Sequence, residues 1–94
     1  MNAAHVLLLA AALSLAAQAQ GSVPADVAHF IKQRDACDHF RGEEAYDAER
    51  KQFLKRKLKQ LCTGTDEKLR TLKQKYKAQP KALTMLQRFE VSIE

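Results

Sequence analysis

Apolar positions fall into five blocks along the chain. The first, residues 6–17 (VLLLAAALSLAA), is continuous and carries no charge. The other four repeat at intervals of three and four residues, the spacing of a helix with one buried face. None alternates with the period of a strand. Val27, Phe30, Ile31 and Cys37 share one face and predict a helix running to about Phe40. Pro24 suits its first turn, Ser22 is a candidate cap, and Gly42 is placed to close the helix in the left-handed conformation. Tyr46, Leu54, Leu58 and Leu61 mark a second helix with Phe53 on the flank and Asp47 as its cap. Gly64 ends that helix and Thr65 begins a third, where Asp66 and Glu67 suit the positive end of the helix dipole. Leu69, Leu72 and Tyr76 give it a narrow seam. Pro80 opens a fourth, with Ala82, Leu83, Leu86, Phe89 and Ile93 on its inner face. The pattern predicts an all-α fold, a small bundle of three to four short helices.

The continuous block has another meaning. It is shorter than the roughly 20 apolar residues a spanning helix needs. Ala17-Gln18-Ala19 follows, with small residues where a signal peptidase requires them. Residues 1–19 are therefore expected to be a cleaved signal peptide, and residues 20–94 a basic α-helical domain of an exported, periplasmic protein with no transmembrane segment. The leading MNAAH contains neither Lys nor Arg, so a retained amphipathic or membrane-anchoring segment is the alternative. No cysteine stands at the cut, which argues against a lipid-anchored lipoprotein.

A domain of this length has a slight core, which seldom supplies more than roughly 3–5 kcal/mol. Outside the cytoplasm the two cysteines, Cys37 and Cys62, are expected to form a disulfide. This expectation strains the simplest hairpin. If the first two helices turned at Gly42, Cys37 would face residue 50, and the twelve further helical residues to Cys62 measure about 18 Å. Disulfide Cα atoms lie within about 7 Å. A 41–48 connection that doubles back along the first helix resolves the conflict best; a steep helix crossing also does so, and free thiols would remove it.

Charge is segregated. Residues 20–49 hold seven acids and three bases, a net of −4, and residues 50–94 hold 13 bases and four acids, a net of +9; together these make the overall +5. The split can serve an anionic partner or draw the two halves together on folding. The basic run begins with Arg50, Lys51, Lys55, Arg56, Lys57 and Lys59, and continues through Lys68, Arg70, Lys73, Lys75, Lys77 and Lys81. A basic helix of this kind can bind the phosphates of lipid headgroups or lipopolysaccharide, or the cell wall. Aromatic interleaving is thin and the expected compartment lacks routine nucleic acid, so a nucleic-acid partner is not expected.

The densest chemistry lies between Arg34 and Glu43. Arg34 and Asp38 intrude on the apolar face of the first helix, where an ion pair is costly unless well bonded. A structural task, such as holding the following connection, explains them best. Arg34 and Arg41 can reach Glu43, Glu44 or Asp47, and Arg34, Asp38, His39, Arg41 and Glu43 form a candidate binding or structural turn. Cys37, His39 and Cys62 are types found in zinc sites, but residues 37 and 39 diverge by about 200° on a helix, which makes a metal site the weaker reading. No catalytic residues, resident metal or cofactor are expected, and no phosphate-binding loop or nucleophile elbow is present.

The run Ala36-Cys37-Asp38-His39-Phe40-Arg41-Gly42-Glu43, with Tyr46-Asp47-Ala48 and Leu61-Cys62-Thr63-Gly64-Thr65-Asp66, resembles a group of small exported helical proteins of Gram-negative bacteria that carry a CDHFRGE string. The likeness covers roughly residues 26–90. It implies a periplasmic helical protein with two linked cysteines and transfers no activity. The expectation is a non-enzymatic protein that binds another envelope protein through the Arg34–Glu43 turn, or an anionic envelope component through residues 50–81.

Overall fold

The structure, a computed structural model, describes residues 23–94. The expected signal peptide, its cleavage position and the Ser22 cap lie outside the described residues. Four helices follow in order: α1 (Ala25–Arg41), α2 (Ala48–Cys62), α3 (Thr65–Lys75) and α4 (Pro80–Gln87). The protein is all-α, with no strand among the described residues.

Local chemistry accounts for most of the boundaries. Pro24 sits at the cap of α1 rather than inside its first turn, and its carbonyl accepts the Ala28 N–H at 3.0 Å. Asp47 caps α2 as its side chain accepts the Arg50 N–H at 2.7 Å. Gly42 departs from expectation. Its φ is −84°, in the right-handed region, and α1 ends through Gly42 N–H and Glu43 N–H bonds to the Asp38 and Phe40 carbonyls. The left-handed residue is Gly64, at φ 83°, where the chain passes directly from α2 into α3. A side chain there would be strained.

Three apolar positions are corrected. Tyr46 precedes the cap of α2 and is 81% exposed, so its spacing to Leu54 never becomes a helix face. Helix α4 stops at Gln87, which leaves Phe89 and Ile93 in an irregular C-terminal tail. Phe89 is nevertheless buried and meets Phe30 edge to face, with ring centroids 5.3 Å apart.

The main core joins Val27 and Phe30 of α1, Leu69 and Leu72 of α3, Tyr76 at the end of α3, Ala82 and Leu86 of α4, and Phe89. Helix α2 contributes no residue to this cluster. It packs on α1 instead, with Leu54 buried and Phe53 against Phe40 at 5.9 Å.

Cys37 and Cys62 are bonded, with Cα atoms 5.2 Å apart. The contacts of α2 show how the distance is closed. Arg50 pairs with Glu43, Phe53 meets Phe40, and the Leu61 carbonyl accepts from Gln33 Nε2 at 3.0 Å. Helix α2 thus runs antiparallel to α1, and the chain reverses around residues 46 and 47 rather than at Gly42. The reversal comes from α2 itself, not from a connection folded back over α1. Leu61 and Cys62 then reach Gln33 and Cys37, which lie one turn apart on α1.

The segregated charges do join the halves. Asp26 pairs with Lys75 at 2.7 Å, Asp35 with Arg88 at 3.1 Å, and Glu43 with Arg50.

Candidate functional site

Arg34 lies between Phe30 and Cys37 on the inner face of α1, so the helical register forces it inward. Its side chain is 0% exposed. A guanidinium in that position must find acceptors. Nε donates to Asp38 Oδ1 at 3.2 Å and Nη2 donates to the Glu90 carbonyl at 2.7 Å. Nη1 lies 3.9 Å from Asp66 Oδ1, and the group stands 5.8 Å from the Phe89 ring centroid. Arg41 also donates to Asp38, at 2.9 Å, and lies 3.7 Å from the Glu90 carboxylate.

These contacts correct the expected partners. Arg34 and Arg41 do not pair with Glu43, Glu44 or Asp47; both bond Asp38 and both reach Glu90 in the tail, Arg34 through its carbonyl and Arg41 toward its carboxylate. Glu43 is taken by Arg50, whose Nη2 donates to Oε1 at 2.7 Å, because the cap at Asp47 starts α2 with Arg50 opposite Glu43. This bond holds the Glu43 carboxyl below its ordinary range and raises Arg50.

The tail is fastened twice more. Asp66 accepts the Ile93 N–H at 3.0 Å and the Glu94 N–H at 2.9 Å. The Glu94 carboxylate answers by accepting the Gly64 and Asp66 N–H groups, both at 3.0 Å. It thereby satisfies donors that the start of α3 would otherwise leave open. The Glu94 N–H bond is the largest influence lowering the Asp66 carboxyl, assisted by Ile93, Arg34 and Arg41 against the effect of burial.

A second cluster joins the start of α1 to the end of α3. Asp26 accepts from Tyr76 Oη at 2.7 Å and from Lys75 Nζ at 2.7 Å. The lysine bond, then the tyrosine bond, lowers Asp26; the same aspartate raises Tyr76 and Lys75. The signs define a pH window. Carboxylates lowered in the folded state contribute stability above their unfolded values, and this is lost as pH falls below about 4. A raised phenol and a raised ammonium contribute below about pH 10, and this is lost as pH climbs through their folded values. Melting temperatures measured from pH 3 to 11 should therefore show a plateau that declines at both ends. Asp26→Asn should lower the plateau and flatten the alkaline decline; an alkaline limb identical to wild type would contradict the assignment.

His39 is exposed and lies edge-on to Phe40, with centroids 5.2 Å apart. It meets no cysteine ligand, because the two sulfurs are bonded to each other. Among the described residues no three His, Cys, Asp or Glu side chains come together as a metal-binding group.

The basic run is only partly paired. On α3, Lys75 pairs with Asp26 and Arg70 with Glu67, while Lys68 and Lys73 form no ion pair among the described residues. On α2, Arg50 pairs with Glu43 and lies over Phe53 at 4.5 Å, and Lys57 approaches the same ring at 5.7 Å. Lys51, Lys55, Arg56 and Lys59 are exposed and form no ion pair among the described residues. Helix α2 carries six bases and one acid, Glu49, a net of +5.

Sequence reasoning identified Arg34 and Asp38 as misplaced charges and missed Asp66, Glu94 and the Asp26–Tyr76 pair. Asp66 reads as a helix-dipole acid, and Asp26 is only one of the seven acids counted in residues 20–49. Their partners lie 27 to 50 residues away, beyond any local signal.

The fold and its bonding define a small all-α protein with a single disulfide, a buried arginine clamp and one strongly cationic helix. Comparison with family models, with curated proteins and with solved structures finds no match for this chain.

Proposed function

We propose that the chain is a small, non-enzymatic exported protein that associates with phosphate-bearing anionic surfaces of the cell envelope through the outer face of α2. The observation that carries this reading is the set Lys51, Lys55, Arg56 and Lys59, exposed on one helix and without an ion pair among the described residues. The Arg34–Glu43 turn was the other candidate surface, for an envelope protein. Arg34, Asp38, Arg41 and Glu43 are all engaged within the molecule, which favours α2 over that turn. Export and periplasmic residence rest on the signal-like residues 1–19 and on the resemblance to the CDHFRGE group; the disulfide suits an oxidising compartment.

Each Lys or Arg close to an anionic membrane contributes about 1 kcal/mol of attraction. The protein should therefore sediment with anionic phospholipid vesicles at low salt and be released as the Debye length shrinks. Reversing Lys55, Arg56 and Lys59 to Glu should reduce binding more than a hundredfold. Neutral vesicles containing lipopolysaccharide form a second arm, separating lipid A phosphates from phospholipid headgroups. Equal sedimentation with purely neutral vesicles would refute the proposal.

A further inference from the structure

Helix α2 is joined to the rest of the molecule differently from its neighbours. Among the described residues the main core consists of side chains from α1, α3, α4, Tyr76 and the tail, with none from α2. The polar ties across the fold, Asp26 to Tyr76 and Lys75, Asp35 to Arg88, and Arg34 to Asp66 and Glu90, also bypass α2. Helix α2 packs mainly on α1, the most extensive contact between two helices here, through the disulfide at its last residue, the Gln33–Leu61 bond, the edge contact of Phe53 with Phe40, and an apolar strip in which Leu54 is buried but Phe53, Leu58 and Leu61 are only partly covered. At its other end, Glu43–Arg50 ties α2 to the connection rather than to a neighbouring helix. The helix is amphipathic, with Lys55, Arg56 and Lys59 on the side away from Leu54, Leu58 and Leu61, and with Lys57 beside Phe53 on the apolar side, where a long stem can carry its ammonium to the headgroups.

We propose that the Cys37–Cys62 disulfide is a redox latch on α2, and that reduction releases this helix to lay its Phe53–Leu61 apolar face into an anionic phospholipid surface. The proposal rests on the cationic-surface reading above and adds its regulation. The step is an exchange with a dithiol reductant: two electrons and two protons pass to the Cys37 and Cys62 sulfurs, which become thiols, and the reductant closes into its own disulfide. With the latch closed, the outer cationic face binds phosphate electrostatically. With it open, the leucines face lipid instead of α1.

Hydrogen exchange followed by mass spectrometry tests the latch. It compares the purified oxidised protein, the same protein in excess dithiothreitol, and a Cys37→Ala, Cys62→Ser variant. Reduction should lower protection more than tenfold within residues 48–62 and leave residues 25–36 and 69–87 protected. Uniform loss over all four helices, or unchanged protection of 48–62, would overturn the latch. Vesicle sedimentation in about 0.5 M salt, where the Debye length falls below 5 Å, reads the second half. The reduced form should stay bound to anionic vesicles and the oxidised form should leave. Equal release of both forms at this salt, after binding at low salt, refutes the latch and spares the cationic-surface reading; equal retention of both at this salt, or no binding by either at low salt, refutes both.

Discussion

Replacing Arg34 with alanine should lower the free energy of unfolding by about 3–5 kcal/mol, the usual result of removing one partner from a buried charge cluster. The side chain is wholly enclosed and holds the Glu90 carbonyl, Asp38 and, more distantly, Asp66. Its loss leaves a cavity beneath Phe89 and a carbonyl without its donor, beside two carboxylates that repel. The first consequence should be structural: the tail detaches, and the Ile93 and Glu94 amides that bond Asp66 exchange freely. Arg34→Met separates packing from charge. It fills much of the space but cannot donate, so it should recover part of the stability while the tail amides stay unprotected. Urea unfolding of both variants, with amide exchange at residues 89–94, provides the check. A cost below about 1 kcal/mol, the scale of an exposed ion pair, would show that the clamp does not hold the tail.

Removing the disulfide should have a comparable effect by a different route. The bridge spans 25 positions, and the loop-closure entropy of such a link is about 3.5 kcal/mol. Because α2 shares no residue with the main core, this loss should fall on the α1–α2 contact rather than on the whole molecule. The oxidised protein is expected to unfold in one cooperative step. The Cys37→Ala, Cys62→Ser variant is expected to unfold in two, with the helical signal of Ala48–Cys62 disappearing first, as local units of low stability do. Circular dichroism against urea, with and without reductant, distinguishes these outcomes. A single transition moved wholesale to lower urea would mean that α2 is integral to the cooperative unit.

Much of the architecture is legible in the sequence alone. Asp47, Gly64 and Pro80 mark helix boundaries through properties of the residue itself: a short acceptor side chain, tolerance of positive φ, and a missing N–H. Leu69, Leu72, Tyr76, Ala82 and Leu86 follow helical spacing and are buried as it requires. Tyr46 misled because periodicity does not say where a helix starts, and the cap at Asp47 excludes it. Gly42 misled because a glycine permits the left-handed conformation without requiring it. Arg34 stood out as a charge on an apolar face, and that anomaly was real. Its ligands were invisible because two of them come from Asp66 and the backbone of Glu90, 32 and 56 positions away.

The division between sequence and tertiary structure follows from the range of the forces involved. Periodicity, capping chemistry and cysteine count act over a few residues or through composition, so the chain alone determined an all-α fold, four helices, one expected disulfide and a basic second helix. Which charges are used up internally depends on long-range pairing. Only the tertiary structure decided that the Arg34–Glu43 turn is engaged by the tail and by Arg50, that α2 stands outside the main core, and that Lys51, Lys55, Arg56 and Lys59 remain exposed together on that helix.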